Sequence, residues 1–181
     1  NRYRIVVSVD PAASHTADSN HTGIITVLEG AAPERLISTA AIQHKNESHY
    51  YVLADASLIG TPHQWGLTVK AAAETHKADT VVIEDNQGGD MVESTLINAG
   101  VTQRIHRVRA VHSKLARALN SSTLCEQGRI HFYRNPATYN AEHGTDPLDM
   151  LEDELCNWQP GDDSPDRMDA FVHAINTPSL E

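Results

Sequence analysis

Along the first third of the chain, apolar positions come in short β-branched runs, each closed by an acid or a turn pair. Ile5, Val6, Val7 and Val9 lead to Asp10 and then Pro11. A run of this kind, stopped by a breaker, predicts a buried strand. Thr22 to Leu28 predicts a second strand, ended by Glu29-Gly30. Arg35 to Gln43 and Tyr50 to Leu53 predict two more, separated by the polar patch His44 to His49. Pro11 to Asn20 is small and polar and predicts a loop. Consecutive strands with short links predict an antiparallel meander.

The periodicity then turns helical. Thr61-Pro62-His63-Gln64 combines a capping Thr, a Pro at the first helical position and a Gln three residues after the cap. Trp65, Val69 and Ala72 follow at helical spacing. Thr80 to Ile83 is a continuous apolar run, the kind buried on both faces in parallel pairing, and it ends in Glu84 and Asp85. Asn86-Gln87-Gly88-Gly89 predicts a tight turn, Asp90 to Ala99 a helix stopped at Gly100, and Gln103 to Val108 a third central strand. Val111 to Gln127 predicts a helix ended by Gly128, with Leu115, Ala118, Leu119 and Ser122 inward and Lys114, Arg117 and Ser121 on a separate polar face. Arg129 to Phe132 is short and strand-like. Asp146-Pro147 opens a helix with Leu148, Leu151, Leu155 and Trp158 along one side. Ser164-Pro165 opens the last helix, whose apolar stripe is Met168, Phe171, Val172 and Ile175. Asp166 and Asp169 lie off that stripe, one turn apart.

A meander followed by alternating helices and parallel strands predicts an α/β fold: one mixed β-sheet, antiparallel meander plus parallel strands, with helices on both faces. In the ribonuclease H-like version of that plan, the first strand lies beside the first strand after the helix. Asp10 and Glu84 then sit at neighbouring strand ends, and the last helix can bring Asp166 to both. With no repeat and no long linker, residues 1–181 are expected to form a single domain.

Composition narrows the chemistry. The chain is 40% hydrophobic and 21% charged, which is globular. No apolar run approaches the ~20 residues of a membrane helix, and no signal peptide is visible. Cys125 and Cys156 lack a CxxC partner, against a zinc site or disulfide framework. The eleven histidines show no HxxH or HExxH spacing and read as mostly surface residues. A formal net charge of −10 counts against strong unaided nucleic-acid binding and favours cations wherever the acids converge.

Each acid has an innocent role: Asp10 before Pro11 and Glu84-Asp85 before Asn86 suit turns, and Asp166 suits a first helical turn. Together they carry more. Three carboxylates forced together repel, and divalent ions relieve the repulsion. Oxygen ligands suit Mg²⁺ or Mn²⁺. Two such ions ~4 Å apart activate a water and stabilise the leaving oxygen of a phosphodiester.

Six segments carry a family resemblance: VDPA (Val9 to Ala12), GTPHQW (Gly60 to Trp65), VVIEDNQGGDMV (Val81 to Val92), KLARAL (Lys114 to Leu119), EQGRIHF (Glu126 to Phe132) and SPDRMDAFVHAI (Ser164 to Ile175). In this order they resemble the C-terminal nuclease domain of the large terminase subunit of tailed bacteriophages. The resemblance implies a ribonuclease H-like fold and a metal-dependent endonuclease that cuts concatemeric viral DNA at packaging. It implies Asp10, Glu84 and Asp166 as catalytic, metal-holding acids, Asp169 as an auxiliary, Asp85 as a substitute for Glu84, and Asp18 as a further ligand. Many members carry two adjacent acids in the third motif. Here the first of that pair is Pro165, which leaves fewer carboxylates for the second of two expected Mg²⁺ or Mn²⁺ ions. Lys114, Arg117 and Arg129 are candidate DNA phosphate contacts; an ordinary solvated helix face is the equal alternative.

No GxxxxGK[ST] phosphate loop is present. The chain is therefore expected to be a fragment without the family's N-terminal packaging ATPase domain. Its implied partners are double-stranded DNA, that ATPase domain, the small terminase subunit and the portal, in the host cell cytoplasm and outside the mature virion. Two rivals stand beside this reading: another ribonuclease H-like nuclease such as a Holliday-junction resolvase, and a catalytically degenerate docking domain. A serine or cysteine hydrolase is disfavoured because no GxSxG elbow exists.

Overall fold

The β-branched runs pair into one mixed sheet. The computed structural model describes residues 3–11, 21–34, 38–85, 88–109, 113–134, 146–162 and 165–177; the Lys114 side chain lies outside that set. β1 (Arg4–Pro11) and β2 (His21–Gly30) pair antiparallel, with Asp10 opposite Gly23. β3 (His49–Asp55) continues the meander on β2, and the short β4 (Leu58–Ile59) pairs with the start of β2. β5 (Thr80–Glu84) lies parallel to β1 on the other side, and β6 (Arg104–Val108) lies parallel to β5. β7 (Ile130–Phe132) pairs parallel with β3. The order is β6-β5-β1-β2-β3-β7. The first strand therefore adjoins the first strand after the helix, as expected.

Helices cover both faces. On one side α2 (Pro62–Thr75) and α3 (Gly89–Asn98) bury Trp65, Val69, Val92 and Leu96 against Val7, Val9, Ile24, Val81 and Ile83. On the other, α4 (Lys114–Glu126), α5 (Pro147–Asn157) and α6 (Asp166–Asn176) bury Leu124, Leu151 and Phe171 against Ile25, Val27 and Val52. The caps predicted for α2 and α5 form where the residues call for them. Thr61 and Gln64 make a capping box at α2, as Asp146 and Asp149 do at α5. Gly100 and Gly128 take positive φ just past α3 and α4. No helix among the described residues is long and apolar enough to cross a membrane.

Three expectations need correction. The strand expected over Arg35 to Gln43 is not formed. Residues 35–37 lie outside the described set, and Thr39–Gln43 form the short helix α1. Ser38 accepts a hydrogen bond from Ala41 N and starts a turn, and the adjacent Ala40 and Ala41 have no β-branch to favour an extended chain. The polarity of α4 is also turned. Leu115, Leu119 and Ser122 are exposed, Ala118 packs on the core as expected, and Arg117 and Ser121 turn inward. A part-buried carboxylate, Glu84, and the buried imidazole of His173 lie across from Arg117 and compensate for that choice. Finally, the histidines are not mostly surface residues: among the described ones only His63 is exposed, and His49 and His173 are buried. Ser164, expected to cap α6, lies outside the described residues; Pro165 is the capping residue.

Candidate metal centre

Strand alternation aims the acids. On β1 and β5 the odd residues Val7, Val9, Val81 and Ile83 pack toward α2 and α3. The even residues therefore face α6, and Asp10 and Glu84 are the last of them. Val9 pairs with Ile83 in parallel register, so Asp10 and Glu84 occupy the next step at adjacent strand ends.

α6 supplies the lid of the site. Asp166, Asp169, His173 and Asn176 follow at helical spacing and form one polar stripe, while Met168, Ala170, Phe171, Val172, Ala174 and Ile175 join the core. The helix approaches closely because β2 carries Gly23 opposite Asp10. A Cβ there would sit inside the contact radius of the Asp166 carbonyl oxygen. At the other end, Arg4 donates to the Thr177 carbonyl at 2.8 Å, where the helix dipole is negative.

Asp10, Glu84 and His173 each bring one ligand atom to within 4.8 Å of the others. His173 Nε2 stands 3.3 Å from Glu84 Oε2, and Arg117 Nη1 stands 3.8 Å from Glu84 Oε1. Two carboxylates and an imidazole, partly withdrawn from water, fit a divalent cation. The oxygens suit Mg²⁺ or Mn²⁺, and the imidazole tilts the set toward Mn²⁺.

The remaining candidates are distributed as follows. Asp166 opens α6, with its carboxylate 3.8 Å from His21 Nδ1. Burial, with Arg167 as a second cause, holds the His21 imidazole below its ordinary pKa. Asp169 is buried one turn further along the stripe. By helical rise it lies between Asp166, whose backbone meets the partner of Asp10, and His173, whose ring meets Asp10 itself. Asp85 points elsewhere: Arg109 Nε at 3.0 Å and Arg107 Nη1 at 3.3 Å bind it and hold its carboxyl below the usual range. Asp18 lies outside the described residues.

Of the expected DNA contacts, Lys114 begins α4, its side chain outside the described set. Arg117 faces Glu84. Arg129 binds Glu47 at 2.6 Å and the Ser48 carbonyl at 2.9 Å, tying β7 to the chain before β3. His173 was missed as a site residue. Its signal was its place four residues after Asp169, on the acids' side of a helix whose opposite side is the apolar stripe of Met168, Phe171, Val172 and Ile175.

The family model described as Terminase RNaseH-like domain matches residues 7–177. No curated protein sequence matches the chain. Among solved structures, the human cytomegalovirus terminase nuclease domain is 12% identical, with a TM-score of 0.60 over 97% of this chain and 84% of that chain. Its manganese-soaked form is 14% identical, at 0.58 over 95% and 81%. A mutant nuclease domain of the large terminase subunit of bacterial virus Sf6, with manganese and beta-thujaplicinol, is 13% identical, at 0.56 over 97% and 89%. At such identities the likeness is one of fold, and the fold is ribonuclease H-like.

Proposed function

The chain belongs to the family of terminase RNase H-like domains, and on that premise we propose that it is a metal-dependent endodeoxyribonuclease that cuts concatemeric viral DNA during packaging. The observation that carries this reading is the meeting of Asp10, Glu84 and His173 within 4.8 Å, from two strands and a helix far apart in sequence. Manganese in the solved relatives points the same way.

Asp10, Glu84 and His173 would hold one ion, and Asp166 with Asp169 would offer the carboxylates for a second. A bound divalent ion offsets phosphate charge and makes water a better nucleophile at neutral pH. The chain's own residues do the rest. Asp10, at the end of β1, anchors the site on the rigid centre of the sheet. Glu84 projects from the end of β5, at the strand end next to Asp10. The N-terminus of α6 presents the positive end of its dipole beside the acids. No side chain is required as a covalent nucleophile. The substrate is double-stranded DNA, delivered in the host cytoplasm by the ATPase domain, small subunit and portal of the packaging machine.

Plasmid nicking in Mn²⁺ tests this. Asp10→Asn keeps the shape and removes the charge. It should lower nicking by more than about a hundredfold, equivalent to losing ~3 kcal/mol of transition-state stabilisation, with an unchanged circular dichroism spectrum. A fully active Asp10→Asn protein would refute the assignment.

A further inference from the structure

Resting on the metal-centre reading above, we infer that Arg117 is a built-in counter-cation for Glu84, and that its docking and the binding of a divalent ion exclude one another. Arg117 reaches the site from the inward side of α4. Its Nη1 lies 3.8 Å from Glu84 Oε1 and 3.3 Å from each ring nitrogen of His173. Its side chain is 11% exposed, so solvent screens it little.

Shared ligand atoms make the exclusion specific. His173 Nε2 and Glu84 Oε2 lie 3.3 Å apart, and Arg117 Nη1, equally far from both ring nitrogens, sits over the face of that same ring. An ion held by Glu84 and His173 would set a second positive charge beside the guanidinium. The same ion would also claim the charge of Glu84 that attracts Arg117. Both effects expel Arg117.

The docking is loose enough to yield. The Glu84 contact is an ion pair longer than a hydrogen bond, and Arg117 Nε is buried without a hydrogen-bond partner among the described residues. Room exists for the departure. An open cavity of about 610 Å³, bordered by Val108, Arg109, Asn120 and Asn176, lies against Arg117 and His173. Asn176 Nδ2 donates to the Arg117 carbonyl at 3.4 Å, so the side chain can swing while the α4 backbone stays in place. Linkage is reciprocal: whatever docking of Arg117 takes from metal affinity, its removal returns.

Isothermal titration of metal-free protein with Mn²⁺ reads the coupling directly, without any turnover. Arg117→Met should bind Mn²⁺ tighter by on the order of tenfold. Arg117→Lys, a compact charge without the planar fork, should fall between it and the wild type. Should the Met variant not fold by circular dichroism, the Lys variant carries the test, and affinity equal to or weaker than wild type overturns the inference. The same holds for a folded Met variant that binds no tighter. A wild type that takes up no Mn²⁺ defeats the metal-centre reading and this inference together, whereas normal wild-type binding with an unchanged variant defeats this inference alone.

Discussion

At residue 23 a missing methyl group decides whether the last helix can reach the acids. Gly23 lies opposite Asp10, on the face of β2 that α6 covers, and an added Cβ would collide with the Asp166 carbonyl and the Arg167 amide. Both obstacles are backbone, so the helix itself would have to move. Gly30, at the other end of the same strand, differs: its added Cβ would meet the ring of Tyr3, a side chain able to turn aside. Gly23→Ala should therefore cost about 1–3 kcal/mol, a fall of roughly 3–9 °C in melting temperature for a chain of this size, and should depress Mn²⁺-dependent nicking as well. Gly30→Ala should cost much less. Scanning fluorimetry of the two variants side by side checks this, and equal losses would remove Gly23 from its role. Nothing in the local sequence around Gly23 announces that role, since a glycine inside a strand signals close approach without saying of what.

At the scale of elements, the caps and the β-branched runs were readable because their physics is local. Thr61-Pro62 with Gln64, and Asp146-Pro147 with Asp149, satisfy their own helix ends within four residues. The adjacency of Asp10 and Glu84 was readable only with the strand order of the ribonuclease H-like plan, to which the pattern of runs added the alternation. The turned face of α4 and the buried ring of His173 were not, because both depend on what lies across the core. Arg117 faces inward only because Glu84 and His173 await it there. The β3–β7 edge holds another such pair. His49 Nε2 donates to the His44 carbonyl at 3.2 Å, so its Nδ1 accepts from His131 Nε2 at 2.9 Å. The two rings also stack, His131 lying on Tyr51 as well. Burial lowers both imidazole pKa values; the neighbouring His49 lowers that of His131 further. A depressed folded pKa means the unfolded chain binds the proton first. Stability is therefore full above the unfolded value near 6.5 and is lost as pH falls below it toward the folded values. Melting temperature should decline on acidification through that window, and His131→Gln, which keeps a donor for His49 but cannot titrate, should flatten the decline. An unaltered pH profile in that variant would place the acid sensitivity elsewhere.

Among the described residues most arginines stand beside acids. Arg4 pairs with Glu29, Arg107 with Asp85 and Asp90, Arg109 with Asp85, Arg129 with Glu47, Arg134 with Asp149, and Arg167 with Asp55 and Glu154. The chain as a whole carries a formal net charge of −10. A duplex approaching such a surface is attracted where cations gather, and near the acids the described cations are Arg109, largely exposed although paired with Asp85, and Arg117. Each phosphate neutralised contributes a slope of about −0.9 to log affinity against log salt. Contact through these two arginines predicts a slope between about −1 and −2, far shallower than that of a protein built to hold DNA unaided. Fluorescence anisotropy of a labelled duplex in Ca²⁺, over about 50 to 200 mM salt, measures it. Affinity should be weak throughout, and Arg109→Ala should flatten the slope by close to one phosphate. A slope steeper than about −5 would reveal a basic track beyond these two arginines. A shallow one would mean that the duplex is held in place by other parts of the packaging machine, with this chain contributing the acids that cut it.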